Sequence, residues 1–291
     1  MKTPEPIFVR EVTRIEDPKA APGHIAGHRV RPLIDGRDPG FTDPFVVMAE
    51  DWLPRGAFPL HPHRGIETVT FVIEGSVEHR DSAGHGGVIH AGDAQWMTAG
   101  RGVQHEESAL AGTTAHTLQL WVNLPAAAKM TEPRYQDLAG RLMPVRHEPG
   151  VEVRVFSGES GGVISSTINH VPVTMLDVRV ELGSVFRQRL AASDNAFVYI
   201  YAGEATIGTV GALVRLGQLA WLSRSEEPGF SELILAPERS AVRLLVFSGR
   251  PLREPIAFGG PFVMNTQAEI QQAFTDFRAG RFSSQAGAAL K

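Results

Sequence analysis

The chain has 291 residues, 43% of them hydrophobic and 21% charged, which suits a folded globular protein with room for two domains. The formal net charge of -4, with no lysine- or arginine-rich run, argues against direct nucleic-acid binding, which needs a basic face. The absence of cysteine excludes disulfides, thiolate zinc sites, iron–sulfur clusters and cysteine nucleophiles, so any metal must be held by nitrogen and oxygen.

The N-terminal MKTPEPIFVREV carries acids and prolines and no apolar core, so it does not read as a secretory signal. No apolar run approaches the ~18 residues a spanning helix needs. A cytoplasmic protein, without membrane contact and monomeric, is the expectation.

In chain order, the β-branched and aromatic runs are Val69–Ile73, His116–Val122, Val173–Val180, Ala196–Tyr201 and Val242–Phe247. Glycine and proline separate them, which predicts an all-β sandwich or barrel. Pro125–Gly150 is polar and proline-bearing and reads as a connection. The expected division is 1–135, a linker over 136–150, and 151–291. The chain also repeats. FVIEGSV (71–77) matches YIYAGEA (199–205), and GDAQWM (92–97) matches GQLAWL (217–222). The two offsets, 128 and 125, nearly agree, which predicts a duplicated barrel. One helix closes the chain. Thr266 and Glu269 form a capping-box pattern, Ile270, Ala273, Phe274 and Phe277 make one apolar face, and Gly280 is the stop.

The chemistry concentrates in Gly56–Glu107. His61 and His63 form an HxH pair, Glu67 follows, and His105 with Glu107 forms an HxE pair. Residues of equal parity share a strand face. If the strand runs unbroken, His61, His63, Glu67, Val69, Phe71 and Ile73 point one way, and His105 and Glu107 share a side. Three imidazoles and a carboxylate can thus meet inside one barrel, a workable set for divalent iron, nickel, copper, zinc or manganese. Parity alone does not choose between Glu67 and Glu107 as the acidic ligand. Ten of the eleven histidines precede residue 150, and the positions equivalent to the ligands in the second half hold none. The second barrel is expected to be metal-free.

At these residues the sequence resembles the pirins. HPHRGIETVTF, GDAQWMTAGRGVQHEE, LQLWVNLP, MTEPRYQDL and REPIAFGGPFVMNT follow one another as in that family, over nearly the whole chain. The resemblance implies two tandem cupin-type β-barrels, a bicupin, with one mononuclear iron(II) site in the N-terminal one. Carried over, the ligands are His61, His63, His105 and Glu107. Most other cupins take their acidic ligand from the first motif, where Glu67 stands, so Glu67 is left behind the ligands or as a proton acceptor. Leu60 lengthens the loop before HPH, and Glu106 places a charge inside HxE. The family is associated with two functions. One is quercetin 2,3-dioxygenase-type cleavage of flavonols, with Glu107 or Glu67 removing the substrate proton and Val69, Phe71 and Met97 excluding water. The other is metal-dependent, redox-responsive regulation through a protein partner, for which Arg64, Arg101 and Glu106 offer surface charges. A cupin isomerase or sugar-binding module is a third reading, disfavoured by the apolar parity face.

Overall fold

The structure is a computed structural model that describes residues 8–82 and 84–282. Each of the five predicted β-rich runs lies within a strand, and the chain forms two compact units.

The first unit contains Lys19–Arg141. Its seven-stranded sheet runs in the order Arg134–Leu138, Ala94–Thr98, Ile66–Glu74, Ala115–Asn123, Phe45–Leu53, Arg29–Ile34, Ala21–Pro22. A four-stranded sheet, Phe58–His63, Val103–Ala109, Ser76–Asp81, Gly86–His90, completes the barrel. Leu53 and Val72 of the larger sheet pack with Val77, Ile89 and Ala109 of the smaller. The second unit contains Leu142–Pro251 and repeats the plan with a seven-stranded and a five-stranded sheet. Its interior is filled by aliphatic side chains, among them Val153, Leu176, Val178, Leu190, Leu233 and Val246.

The duplication read from glycine spacing has a backbone cause. Gly75 and Gly203 both take φ = 77°, and a Cβ on either would collide with a carbonyl, of Thr114 or of Ala241. In both barrels the chain turns at this glycine against the start of a facing strand, a conformation that L-residues rarely adopt.

The ends of the chain depart from the sequence division. Residues 8–18 belong to the second unit rather than the first. Val12–Glu16 forms the edge of its larger sheet, antiparallel to Leu219–Leu222, and Phe8–Val9 runs parallel to Ser231–Glu232. Arg10 is fully buried there, donating Nε to Ser231 Oγ at 2.7 Å. Residues 252–282, assigned by sequence to the second barrel, belong with the first. Sequence reading missed both exchanges because local pattern reports an element, not the sheet it joins.

The terminal helix is Gln267–Arg278. Thr266 Oγ1 accepts from Glu269 N at 3.2 Å, Glu269 Oε2 accepts from Thr266 N at 2.8 Å, and Gly280 has φ = 69°. Ile270 and Ala273 are buried with Ala257, Phe262, Met264 and Phe282. Thr266→Ala is expected to destabilise the first unit by about 1 kcal/mol, read by denaturant melts, since a cap is lost and the packed face is kept.

Candidate metal centre

Phe58–His63 runs antiparallel to Val103–Ala109, with His105 opposite His61 and Val103 opposite His63. Alternation turns His61 and His63 inward from one strand and His105 and Glu107 inward from the other, while Glu106 faces the opposite way. The three imidazoles converge. Ring centroids lie 4.9 Å apart for His61–His63, 4.5 Å for His61–His105 and 5.1 Å for His63–His105. One nitrogen from each falls within 4.8 Å of the others, the only such cluster of three among the described residues.

Electrostatics suit these rings to a cation. Burial lowers the pKa of His61, holds His63 at about 3, and holds His105 well below the usual imidazole range; neighbouring imidazoles add to the last two. All three are therefore neutral at pH 7 and offer lone pairs, the state a metal ligand needs. His61 Nδ1 donates to the Pro59 carbonyl at 2.9 Å, which leaves the lone pair on Nε2. Neither ring nitrogen of His63 or of His105 completes a hydrogen bond; the Pro261 carbonyl only approaches His63. Buried polar atoms are normally satisfied, and coordination would satisfy these. The residues present thus fit a borderline divalent ion.

Glu107 shares the wall of the same cavity, but its carboxylate turns onto neighbouring side chains. Thr70 Oγ1 donates to Oε1 at 2.9 Å, and the Gln119 amide donates to Oε2 at 3.5 Å. Burial pushes the carboxyl up to about 7 despite the Thr70 bond.

Glu67 lies elsewhere. It is fully buried and accepts from Thr98 Oγ1 at 2.8 Å, on the sheet face opposite Thr70. The sequence argument required an unbroken strand, and the strand breaks. Gly65 takes φ = 79°, and the chain passes from the four-stranded into the seven-stranded sheet. A one-residue slip exchanges the faces of everything downstream. Thr70 therefore faces Glu107, while Glu67, Val69 and Phe71 line the other side. The water-excluding roles expected for Val69 and Phe71 pass to residues that sequence reading did not name.

Those residues line a cavity of about 470 Å³ beside the imidazoles. Val30, Val47, Ala49, Phe58 and Trp121 make its apolar walls, and Trp121 packs edge-on against His63 at 5.0 Å. Besides His61, His63 and Glu107, its polar groups are His24, His28, Asp51 and Gln119. The alternation Val47, Ala49, Asp51 was the available signal, masked by the nearly continuous apolar run FVVMA.

Arg64, read from sequence as a surface charge, is buried. Its Nε donates to the Arg101 carbonyl at 2.6 Å and its Nη1 to Asp276 Oδ2 at 2.8 Å, with the guanidinium over the Phe282 ring. It joins both histidine-bearing loops to the terminal helix. In the second barrel, the strand pair equivalent to the ligand strands turns Gln188, Leu190, Ser231 and Leu233 inward instead.

Comparison with known proteins agrees with this architecture. The family profile described as Pirin matches residues 34–122, and the Pirin C-terminal cupin domain matches residues 175–283. Pirin-1 of Arabidopsis thaliana is 41% identical over 256 residues, covering 87% of this chain and 88% of its own. A crystal structure from Geobacillus kaustophilus is 44% identical with a TM-score of 0.83, covering 85% of this chain and 99% of its own. A quercetin 2,3-dioxygenase from Acinetobacter baumannii is 32% identical with a TM-score of 0.84, covering 95% of this chain and 99% of its own. The profiles and the identities together place this two-barrel chain in the pirin family.

Proposed function

We propose that the chain is a mononuclear metal oxygenase of quercetin 2,3-dioxygenase type, acting on flavonols or similar aromatic enols. The observation that carries this reading is a cluster of three neutral imidazoles, two of which, His61 and His63, line a largely apolar cavity of about 470 Å³, a volume suited to a small aromatic ligand. The name of the Acinetobacter relative supports it. In this proposal His61, His63, His105 and Glu107 hold one iron(II) ion per chain, a ligand set that also accepts nickel, copper, zinc or manganese.

Bound there, the ion would supply Lewis acidity and redox capacity toward dioxygen. The protein's own groups do the rest. Glu107 takes the enol proton on one carboxylate oxygen while Thr70 and Gln119 hold the group in place. Trp121, Val47 and Phe58 orient the aromatic body and exclude water. Glu67 has no part in this scheme because it faces away from the cavity.

The regulatory reading draws less support, because Arg64, one of the three charges it relied on, is committed to an internal clamp. Anaerobically iron-loaded protein is expected to consume dioxygen when a flavonol is added. Uptake no faster than with free iron, at full metal occupancy, would overturn the oxygenase reading.

A further inference from the structure

We infer that Asp51, held by His28, is a second recognition point in the cavity and accepts a hydroxyl from the end of an aromatic ligand remote from its metal-binding oxygens. The inference rests on the small-molecule reading of the cavity given above.

The strand Phe45–Leu53 presents Val47, Ala49 and Asp51 in alternation to the cavity. Two are apolar, and the third places a carboxylate in an apolar wall. Such a group is costly unless something bonds to it. His28 Nε2 donates to Asp51 Oδ1 at 2.8 Å, and both side chains are about 3% exposed. This is the only hydrogen bond to the Asp51 carboxylate among the described residues, so Oδ2 keeps its acceptor capacity.

A purely structural His–Asp pair would close upon itself in the core. This one is built into the cavity wall and is held rigidly. The His28 ring lies directly over Gly23, where a Cβ would stand 2.0 Å from Nδ1, and Gly23 N donates to the His28 carbonyl at 2.8 Å. His24 packs edge-on against the same ring at 4.8 Å. His28 is thereby fixed and positions Asp51, while Asp51 itself meets the ligand. Burial raises the Asp51 carboxyl, and Glu107 feels its charge across the cavity, so a neutral hydroxyl donor fits better than another anion.

Phe58 stands between the two polar ends. Its ring centroid is 5.4 Å from His28 and 6.1 Å from His61. A ligand spanning both ends therefore has chelating oxygens at the imidazoles, an aromatic body along Phe58 and Trp121, and a hydroxyl on the remote ring. The class is a flavonol hydroxylated away from its chelating edge. A methoxy group there presents only lone pairs to a carboxylate oxygen and is rejected.

The test uses the full chain loaded with zinc, so that binding is read without turnover. The probes are 3-hydroxyflavone derivatives carrying one hydroxyl on either remote ring, each compared with its methoxy counterpart. Affinity is read from quenching of tryptophan fluorescence. For at least one position, the hydroxyl compound is expected to bind about ten-fold or more tighter than the methoxy one. Asp51→Asn turns a donor toward the cavity while still accepting from His28, and the ratio is expected to fall below about three. His28→Gln, which unseats Asp51, should lower it as well. Because the readout is a ratio, a general loss of affinity does not imitate it, and zinc content reports on the metal site in the same samples. A ratio near one in the unaltered protein overturns the inference whether or not the variants fold, and so does a ratio that survives Asp51→Asn. Strong preference without oxygen uptake by the iron form leaves this inference standing and removes the oxygenase reading. Failure of every flavone to bind removes both.

Discussion

His105→Ala is expected to leave the protein folded and unable to retain metal. The imidazole is 1% exposed and central, with ring centroids 4.5 Å from His61 and 5.1 Å from His63. Its removal leaves two histidines on one strand and none opposite. The fold should tolerate the change, because neither nitrogen of His105 holds another part of the chain. Metal content after dialysis should drop from one equivalent to near zero, with circular dichroism unchanged. Glu107→Gln and Glu67→Gln extend the series. In the proposed site Glu107 is a ligand, so Glu107→Gln should lose metal to a chelator faster than the parent. Glu67→Gln should match the parent, since Glu67 lies on the far face with Thr98. An emptied site in Glu67→Gln together with a full one in Glu107→Gln would reverse the ligand assignment.

The largest expected effect on stability is at Lys129. Its ammonium is buried and donates to three oxygens: Gly65 O at 2.9 Å, Asn123 Oδ1 at 2.7 Å and Val263 O at 2.8 Å. Burial lowers its pKa to about 8, so it remains charged at neutral pH. These contacts tie the loop after the HxH pair to the end of Ala115–Asn123 and to the hairpin before the terminal helix. Lys129→Met keeps most of the volume and strands all three acceptors. A loss of about 3 kcal/mol or more is expected, because hydrogen bonds to charged groups are worth about 1.5–3 kcal/mol each and unsatisfied buried acceptors add a penalty. Urea unfolding of the first unit measures it. A loss below about 0.5 kcal/mol would mean that water replaces the ammonium.

Much of this was legible in the residues. HPH and HEE announced the imidazole cluster because strand parity is a property of the backbone. The Thr266 cap and the Ile270–Phe277 face announced the helix because both are local. The far ends of the chain were opaque, since nothing within Val12–Glu16 says that it pairs with Leu219–Leu222. Glu67 was misplaced for a related reason. A left-handed glycine two residues after the second histidine changes sheets, and parity cannot be carried across such a turn. His28 and Asp51 drew no notice, being isolated polar residues whose meaning depends on a cavity formed by distant strands.

The exchanged ends also bear on how the chain is made. Synthesis proceeds from the N-terminus, yet Val12 finds its partner at Leu222. At about 5–20 residues per second, the first strand waits roughly 10–40 s before the strand it pairs with has left the ribosome. Until then its backbone donors and acceptors, and the Arg10 guanidinium, remain in solvent. The first barrel in turn lacks the Phe262 hairpin and the helix Gln267–Arg278 until those residues emerge. Neither barrel can be finished when the middle of the chain emerges, and a fragment cut there would lack an edge strand or the segment that clamps the histidine loops.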